Sequence, residues 1–129
     1  MVKVGIVGLG YWGPNLLRNF YNHQYVSCEI ICDLDEEKIK RQLKHYPKVK
    51  KWTRDFRDVL KEDLDLVVIA TPPETHYELT KLAIEQGKNV LVEKPFTTSI
   101  KDAEELIELS KKKKVKIFVD HTFVFNPCV

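Results

Sequence analysis

Val4-Gly5-Ile6-Val7-Gly8-Leu9-Gly10-Tyr11-Trp12-Gly13-Pro14-Asn15-Leu16 is the stretch that decides the fold. The run from Val2 to Gly8 is apolar and β-branched and predicts a buried strand. Gly8, Gly10 and Gly13 follow in the spacing G-x-G-x-x-G. Pro14, whose fixed φ suits the first helical position, then opens a helix over 14–22 with Leu16, Leu17 and Phe20 on one side. A second apolar strand, 26–33, ends on Asp33 at the roughly 20-residue remove that a dinucleotide-binding unit requires. Each part has a physical task. Gly8 permits the tight turn, Gly10 lets the backbone approach a pyrophosphate with no Cβ between, and Gly13 lets the helix pack close on the strand. The helix N-terminus offers unpaired N–H groups to phosphates. Asp33 is placed to accept hydrogen bonds from the adenosine ribose hydroxyls. Tyr11 and Trp12 admit two readings, covering the cofactor or a neighbouring domain, or plain packing.

Working outward, strand-like and helix-like segments alternate to the end of the chain. Asp35 caps a helix carrying Ile39, Leu43 and Tyr46 on one face. A short strand over 49–53 and a brief helix over 55–60 follow. The unbroken run Leu66-Val67-Val68-Ile69 within 64–71 predicts a strand covered on both faces. Pro72-Pro73 ends it, and Thr75 with Glu78 forms a capping-box pattern for a helix stopping at Gly87. A strand over 89–94 is stopped by Pro95. The helix over 99–113 places Ile100, Ala103, Leu106, Ile107 and Ser110 on one stripe, with Lys111 to Lys114 as its solvated last turn. A last strand spans 115–122. Strict alternation predicts an α/β, doubly wound parallel sheet, a single-domain Rossmann fold of order 3-2-1-4-5-6 with its crevice at the carboxyl ends of strands 1 and 4.

The bulk numbers fit that frame. The 129 residues are 43% apolar and 31% charged, with a formal net charge of +2. The two signs are interspersed, which argues against nucleic acid as a partner. No window reaches the length of a membrane span, and no leader pattern precedes the first strand. Cys28 and Cys32 share one strand about 13 Å apart, too far to bridge, and with Cys128 read as small core residues of a reducing, cytoplasmic protein. No Cys/His spacing suggests a metal site.

Further segments make the chain specific: Ala70-Thr71-Pro72-Pro73-Glu74-Thr75-His76-Tyr77-Glu78-Leu79, Glu93-Lys94-Pro95, and His121-Thr122-Phe123-Val124-Phe125-Asn126-Pro127. With the Tyr11-Trp12-Gly13-Pro14-Asn15 opening they resemble, over the whole chain, the glucose–fructose oxidoreductase/inositol dehydrogenase family. Within it they are most similar to dehydrogenases of sugars or nucleotide sugars. The resemblance implies that Thr71 and Pro72 line the crevice, with His76 near the cofactor and Glu93 and Lys94 at the nicotinamide end. It makes Lys94 the catalytic lysine, assisting deprotonation or orientation of the reacting hydroxyl, and the Lys94–Pro95 bond is often cis in such proteins. It also implies a second domain carrying the substrate pocket and an Asp-x-x-x-His pair.

The residues alone agree in part, because Lys94 ends a strand where this architecture binds ligands and Pro95 restricts its backbone. His76 reads equally as a polar member of a first helical turn, and His121 as either a crevice residue or a polar group at a strand end. Residues 1–122 are thus expected to be the dinucleotide-binding domain and 123–129 the start of a connection to an absent substrate domain. The fragment binds cofactor without turnover on this reading. The alternative is a stand-alone dinucleotide-binding or sensor module. NAD is expected over NADP, since Asp33 repels a 2′-phosphate, no Arg adjoins it at Leu34 or Asp35, and Lys38 and Lys40 lie out of range. A homodimer through the apolar segment Phe123, Val124, Phe125 and Val129 is expected as well.

Overall fold

The strand β1 (Val2–Val7) runs through the middle of a six-stranded sheet and pairs in parallel with a neighbour on each side. The computed structural model describes residues 1–10, 13–94 and 96–120. After β1 come α1 (Gly13–Tyr21), β2 (Val26–Cys32), α2 (Glu36–His45), β3 (Lys51–Thr53) and α3 (Phe56–Lys61). Then follow β4 (Leu66–Ile69), a 3-10 turn (Pro73–Thr75), α4 (His76–Glu85), β5 (Asn89–Glu93), α5 (Ile100–Lys113) and β6 (Ile117–Asp120). The sheet order is β3-β2-β1-β4-β5-β6, and every pairing is parallel. The chain winds outward from β1 in one direction, returns, and winds outward in the other. That reversal leaves a crevice at the carboxyl ends of β1 and β4.

Alternating side chains bury both faces of the sheet. Val67 and Ile69 join Ala83, Ile84 and Leu106 in the core under α4 and α5, while Val68 joins Leu17 and Ile39 in the core under α1 and α2. The continuous apolar run of β4 is the sequence trace of that double burial. A register shift between Val4 and Gly5 skips one residue of β2, pairing Val4 with Cys28 but Gly5 with Ile30. The shift places Cys28 in the α1/α2 core and Cys32 in the opposite one. Both are buried free thiols.

The helix starts follow local chemistry. Asp35 accepts from the Glu37 N–H, Asp55 from the Arg57 N–H and Ser99 from the Asp102 N–H, each in extended backbone. Gly87 stands just past α4 at φ 74°, where the helix was expected to stop. Lys111, Lys112 and Lys113 form the last turn of α5, as the sequence predicts.

Two expectations are corrected. Thr75 does not cap α4: it is itself helical, and its hydroxyl bonds back to the Thr71 hydroxyl and the Pro72 carbonyl, both at 2.6 Å. The turn that starts at Pro73 absorbs the position a cap would take. On α5, Leu106 and Ser110 are buried but Ile100 and Ile107 are exposed, so the helix presents a narrower face to the sheet than its apolar stripe suggests. Tyr11, Trp12, Pro95, His121 and the segment 123–129, with the dimer expected from it, lie outside the described residues.

Candidate functional site

The glycine turn is defined by what a Cβ would meet. Gly8 adopts φ +96°, and a Cβ there would lie 2.6 Å from the Ala70 carbonyl oxygen. No other residue sits comfortably in that conformation and that space. At Gly13 a Cβ would come within 1.8 Å of the Gly8 carbonyl oxygen, so the first turn of α1 rests directly on the end of β1. Gly10 is different: nothing lies within 4 Å of its Cβ position, and the residue is exposed. The space above Gly10 is therefore open to a group that must approach the backbone closely. The first turn of α1 holds no acidic residue, so its N-terminus is favourable to an anion. These features fit a dinucleotide pyrophosphate.

Asp33 follows β2 and is tied in from both carboxylate oxygens. One accepts from the Leu9 N–H at 2.7 Å and the other from the Asp35 N–H at 2.8 Å. The acid therefore ties Leu9, between Gly8 and Gly10, to the end of the second strand before any ligand arrives. Each oxygen keeps a lone pair, enough to accept from a ribose diol as well.

On the far side of the crevice, β4 leads into Ala70 and Thr71. The His76 ring is turned inward, 1% exposed, and its Nε2 lies 2.8 Å from the Thr71 carbonyl oxygen. Thr71 and Pro72 line the crevice; His76 stands behind them and holds their turn. At the end of β5, Glu93 is buried and Lys94 is exposed at the lip.

A single cleft of about 1290 Å³ joins these parts: Gly8, Gly10, Asp33, Thr71, Pro72, Glu93 and Lys94 all line it. Of the residues expected at the site, Gly13 and His76 support it from beneath. Cys32 also lines the cleft, but burial first, and then the charges of Asp33, Asp55 and Asp58, push its thiol up to about 12. It stays protonated near neutral pH and is no nucleophile. The described residues contain no cluster suited to a metal ion, and no helix among them is long and apolar enough to cross a membrane.

The structure adds residues that the sequence reading missed. Leu34, Lys38 and Arg54 line the cleft beside Asp33, with Asp35, Glu36 and Glu37. Lys38, expected too far from Asp33 to meet a 2′-phosphate, lines the same cleft, and an arginine lines it too, from just after β3. Arg54 directly follows β3, and only the pairing of Thr53 with Cys32 brings it here.

Comparison with known proteins gives the site its setting. Residues 2–121 match the oxidoreductase family with an NAD-binding Rossmann fold. A UDP-N-acetylglucosamine 3-dehydrogenase of Acidithiobacillus ferrooxidans is 23% identical over 99% of this chain and 39% of its own length. The structure of GenD2 from gentamicin A biosynthesis, in complex with NAD, superposes with a TM-score of 0.91 at 28% identity, covering 98% of this chain and 36% of that one. Scyllo-inositol dehydrogenase from Lactobacillus casei, with bound NAD(H) and scyllo-inositol, superposes at 0.89 with 25% identity, covering 98% and 38%. The chain spans less than two fifths of the length of each of these relatives. Its glycine turn, acid-tipped second strand and sheet order agree with that match, and the chain belongs to the oxidoreductase family with the NAD-binding Rossmann fold, the family of the inositol dehydrogenases.

Proposed function

We propose that this chain is the cofactor-binding part of an oxidoreductase that transfers hydride between NAD and a hydroxyl of a sugar, polyol or nucleotide sugar. The observation that carries the reading is one continuous cleft from Asp33, past Gly8 and Gly10, to Glu93 and Lys94. The α1 N-terminus and the open face of Gly10 receive the pyrophosphate. The lone pairs of Asp33 not used by Leu9 and Asp35 receive the ribose hydroxyls. Thr71 and Pro72, braced by His76, form the wall between the two ends. The nicotinamide, when bound, supplies the hydride acceptor or donor. Lys94 orients the reacting hydroxyl and assists its deprotonation, and Glu93 stands beside it at the same strand end.

A second domain, carrying the substrate pocket, is needed to bring the reacting carbon within hydride reach, since positioning supplies much of the rate. The substrate class follows the named relatives, one acting on a UDP-sugar and one crystallised with scyllo-inositol. The buried thiols Cys28 and Cys32 suit a reducing cytoplasm. Calorimetric titration with NAD and NADP, together with a search for NADH formation, tests the reading. The chain should bind NAD more tightly than NADP and form no NADH with inositols, sugars or nucleotide sugars. Failure to bind NAD would overturn the whole proposal, and steady NADH production would overturn the need for a second domain.

A further inference from the structure

Tyr77 has no part in the roles above, yet it stands one residue past the brace His76. The two side chains serve different neighbours. His76 is buried, with its Nε2 2.8 Å from the Thr71 carbonyl oxygen. Tyr77 packs against the core under α4 and α5, and its hydroxyl donates to the Glu105 carboxylate on α5. Lys81, one turn further along α4, completes the group. Its Nζ lies 3.5 Å from the Tyr77 hydroxyl, 5.7 Å from the centre of the Tyr77 ring and 3.9 Å from the Glu105 carboxylate. The hydroxyl–carboxylate bond is charge-assisted and is the strongest of these contacts. The ion pair is open to solvent and adds little.

The place of this clasp gives it a consequence for the cleft. α4 comes after β4 and residues 70–75, and α5 comes after β5 and residues 94–99. Both helices therefore start at the carboxyl ends of their strands, where the cleft lies. Tyr77 is in the first turn of α4 and Glu105 in the second turn of α5, so the clasp joins the helices near their cleft ends. Through His76, α4 carries the wall of Thr71 and Pro72. α5 leads back to the lip of Glu93 and Lys94. Asp33 lies elsewhere, past β2, and the sheet order places β1 between β2 and β4.

We infer that Tyr77 and Glu105 are positioning residues for the end of the cleft proposed for the nicotinamide: their bond sets the span between the wall of Thr71 and Pro72 and the lip of Glu93 and Lys94. Neither residue lines the cleft, so both act through the helices that carry it. This rests on the dinucleotide reading. Loosening the clasp widens one end of the cleft and leaves the Asp33 end as it was.

Calorimetry of the chain with NAD and with ADP-ribose, which keeps the adenosine end and lacks nicotinamide, tests the inference. The parent should hold NAD more tightly than ADP-ribose. Tyr77→Phe keeps the ring in the core and removes the hydroxyl. It should weaken NAD by about two- to tenfold, up to the net worth of one hydrogen bond, and leave ADP-ribose within about twofold. Glu105→Ala should match it. Glu105→Gln, which keeps an acceptor for the hydroxyl, should restore most of the NAD affinity. The Tyr77→Phe/Glu105→Ala protein should bind no more weakly than either single variant. A clasp that serves only the fold would lower the urea midpoint and leave the preference for NAD over ADP-ribose unchanged, and that result would overturn the inference. So would an equal loss of both ligands, or a parent that holds the two alike. A parent that binds neither ligand would remove the dinucleotide reading itself, and the role of the clasp with it.

Discussion

The two ends of the cleft are built differently. At the adenosine end, Asp33 is bonded to Leu9 and Asp35, and Arg54 to the Leu34 carbonyl, so the wall is wired to itself across three strands. At the end proposed for the nicotinamide, the wall ends on a buried glutamate and an exposed lysine at the tip of β5. One end is shaped for holding, with its donors and acceptors fixed in advance. The other, on the proposed function, presents Lys94 to a space that a substrate domain would close. The difference separates affinity from chemistry, and substitutions should separate them too.

The largest effect is expected where both ends hang on one contact. Gly13→Ala puts a Cβ against the Gly8 carbonyl, an overlap that no rotamer relieves. It should lower stability by about 1–3 kcal/mol or more, by analogy with overpacked cores, and abolish NAD binding. Gly10→Ala is the matched control, with open space around its Cβ. It should leave the urea midpoint unchanged and still block NAD, as read by calorimetry.

Lys94→Ala addresses the chemical end alone. Within a longer protein that carries a substrate domain, kcat should fall about 100- to 10,000-fold, the range of a lost acid–base group, with NAD affinity within about twofold. A large loss of affinity would erase the distinction between the two ends.

Asp33→Ala addresses the holding end. It removes the acceptor for Leu9 and Asp35 as well as for the ribose, so NAD affinity should fall about tenfold to a hundredfold. Asp33→Asn removes the charge and turns an amide NH2 toward either the Leu9 or the Asp35 N–H, breaking one of the two bonds; it should weaken NAD and narrow the gap between NAD and NADP in titrations.

The smallest effect lies beneath the adenosine end. Burial raises the Cys28 thiol to about 11 and the Cys32 thiol to about 12, both from 9.0. In the unfolded chain these thiols ionise first, so their contribution to stability is fully present below pH 9 and is lost as pH rises through 11 to 12. Urea midpoints should decline across that window more steeply in the parent than in a Cys28→Ala/Cys32→Ala protein.

What the sequence revealed and what it hid divide along the same physical line. The glycine turn, Asp33 and the Asp35 cap are set by neighbours a few residues away or by a motif of fixed spacing, and they are legible. Thr75 shows the limit of such local rules: Pro72 and Pro73 start a turn that captures it before α4 begins, so a correct pattern names the wrong role. Ile100 and Ile107 share the period of the buried residues of α5, but only packing against the sheet decides how wide the covered face is. Arg54 was invisible because its place depends on the register of β3 on β2, a pairing between residues 21 apart that no local pattern encodes. His76 was expected near the cofactor, but it stands behind the cleft lining as a brace, since its inward turn is a property of the packed wall.

The bond from Leu9 to Asp33 has a kinetic meaning. It ties Leu9, just past β1, to the end of β2 in the free protein, so a ligand arriving at the cleft finds these two strand ends already joined. Association should then be a single step whose rate rises linearly with cofactor concentration, with no plateau from a slow closing motion. Differences in affinity among variants at this end should appear almost entirely as differences in residence time.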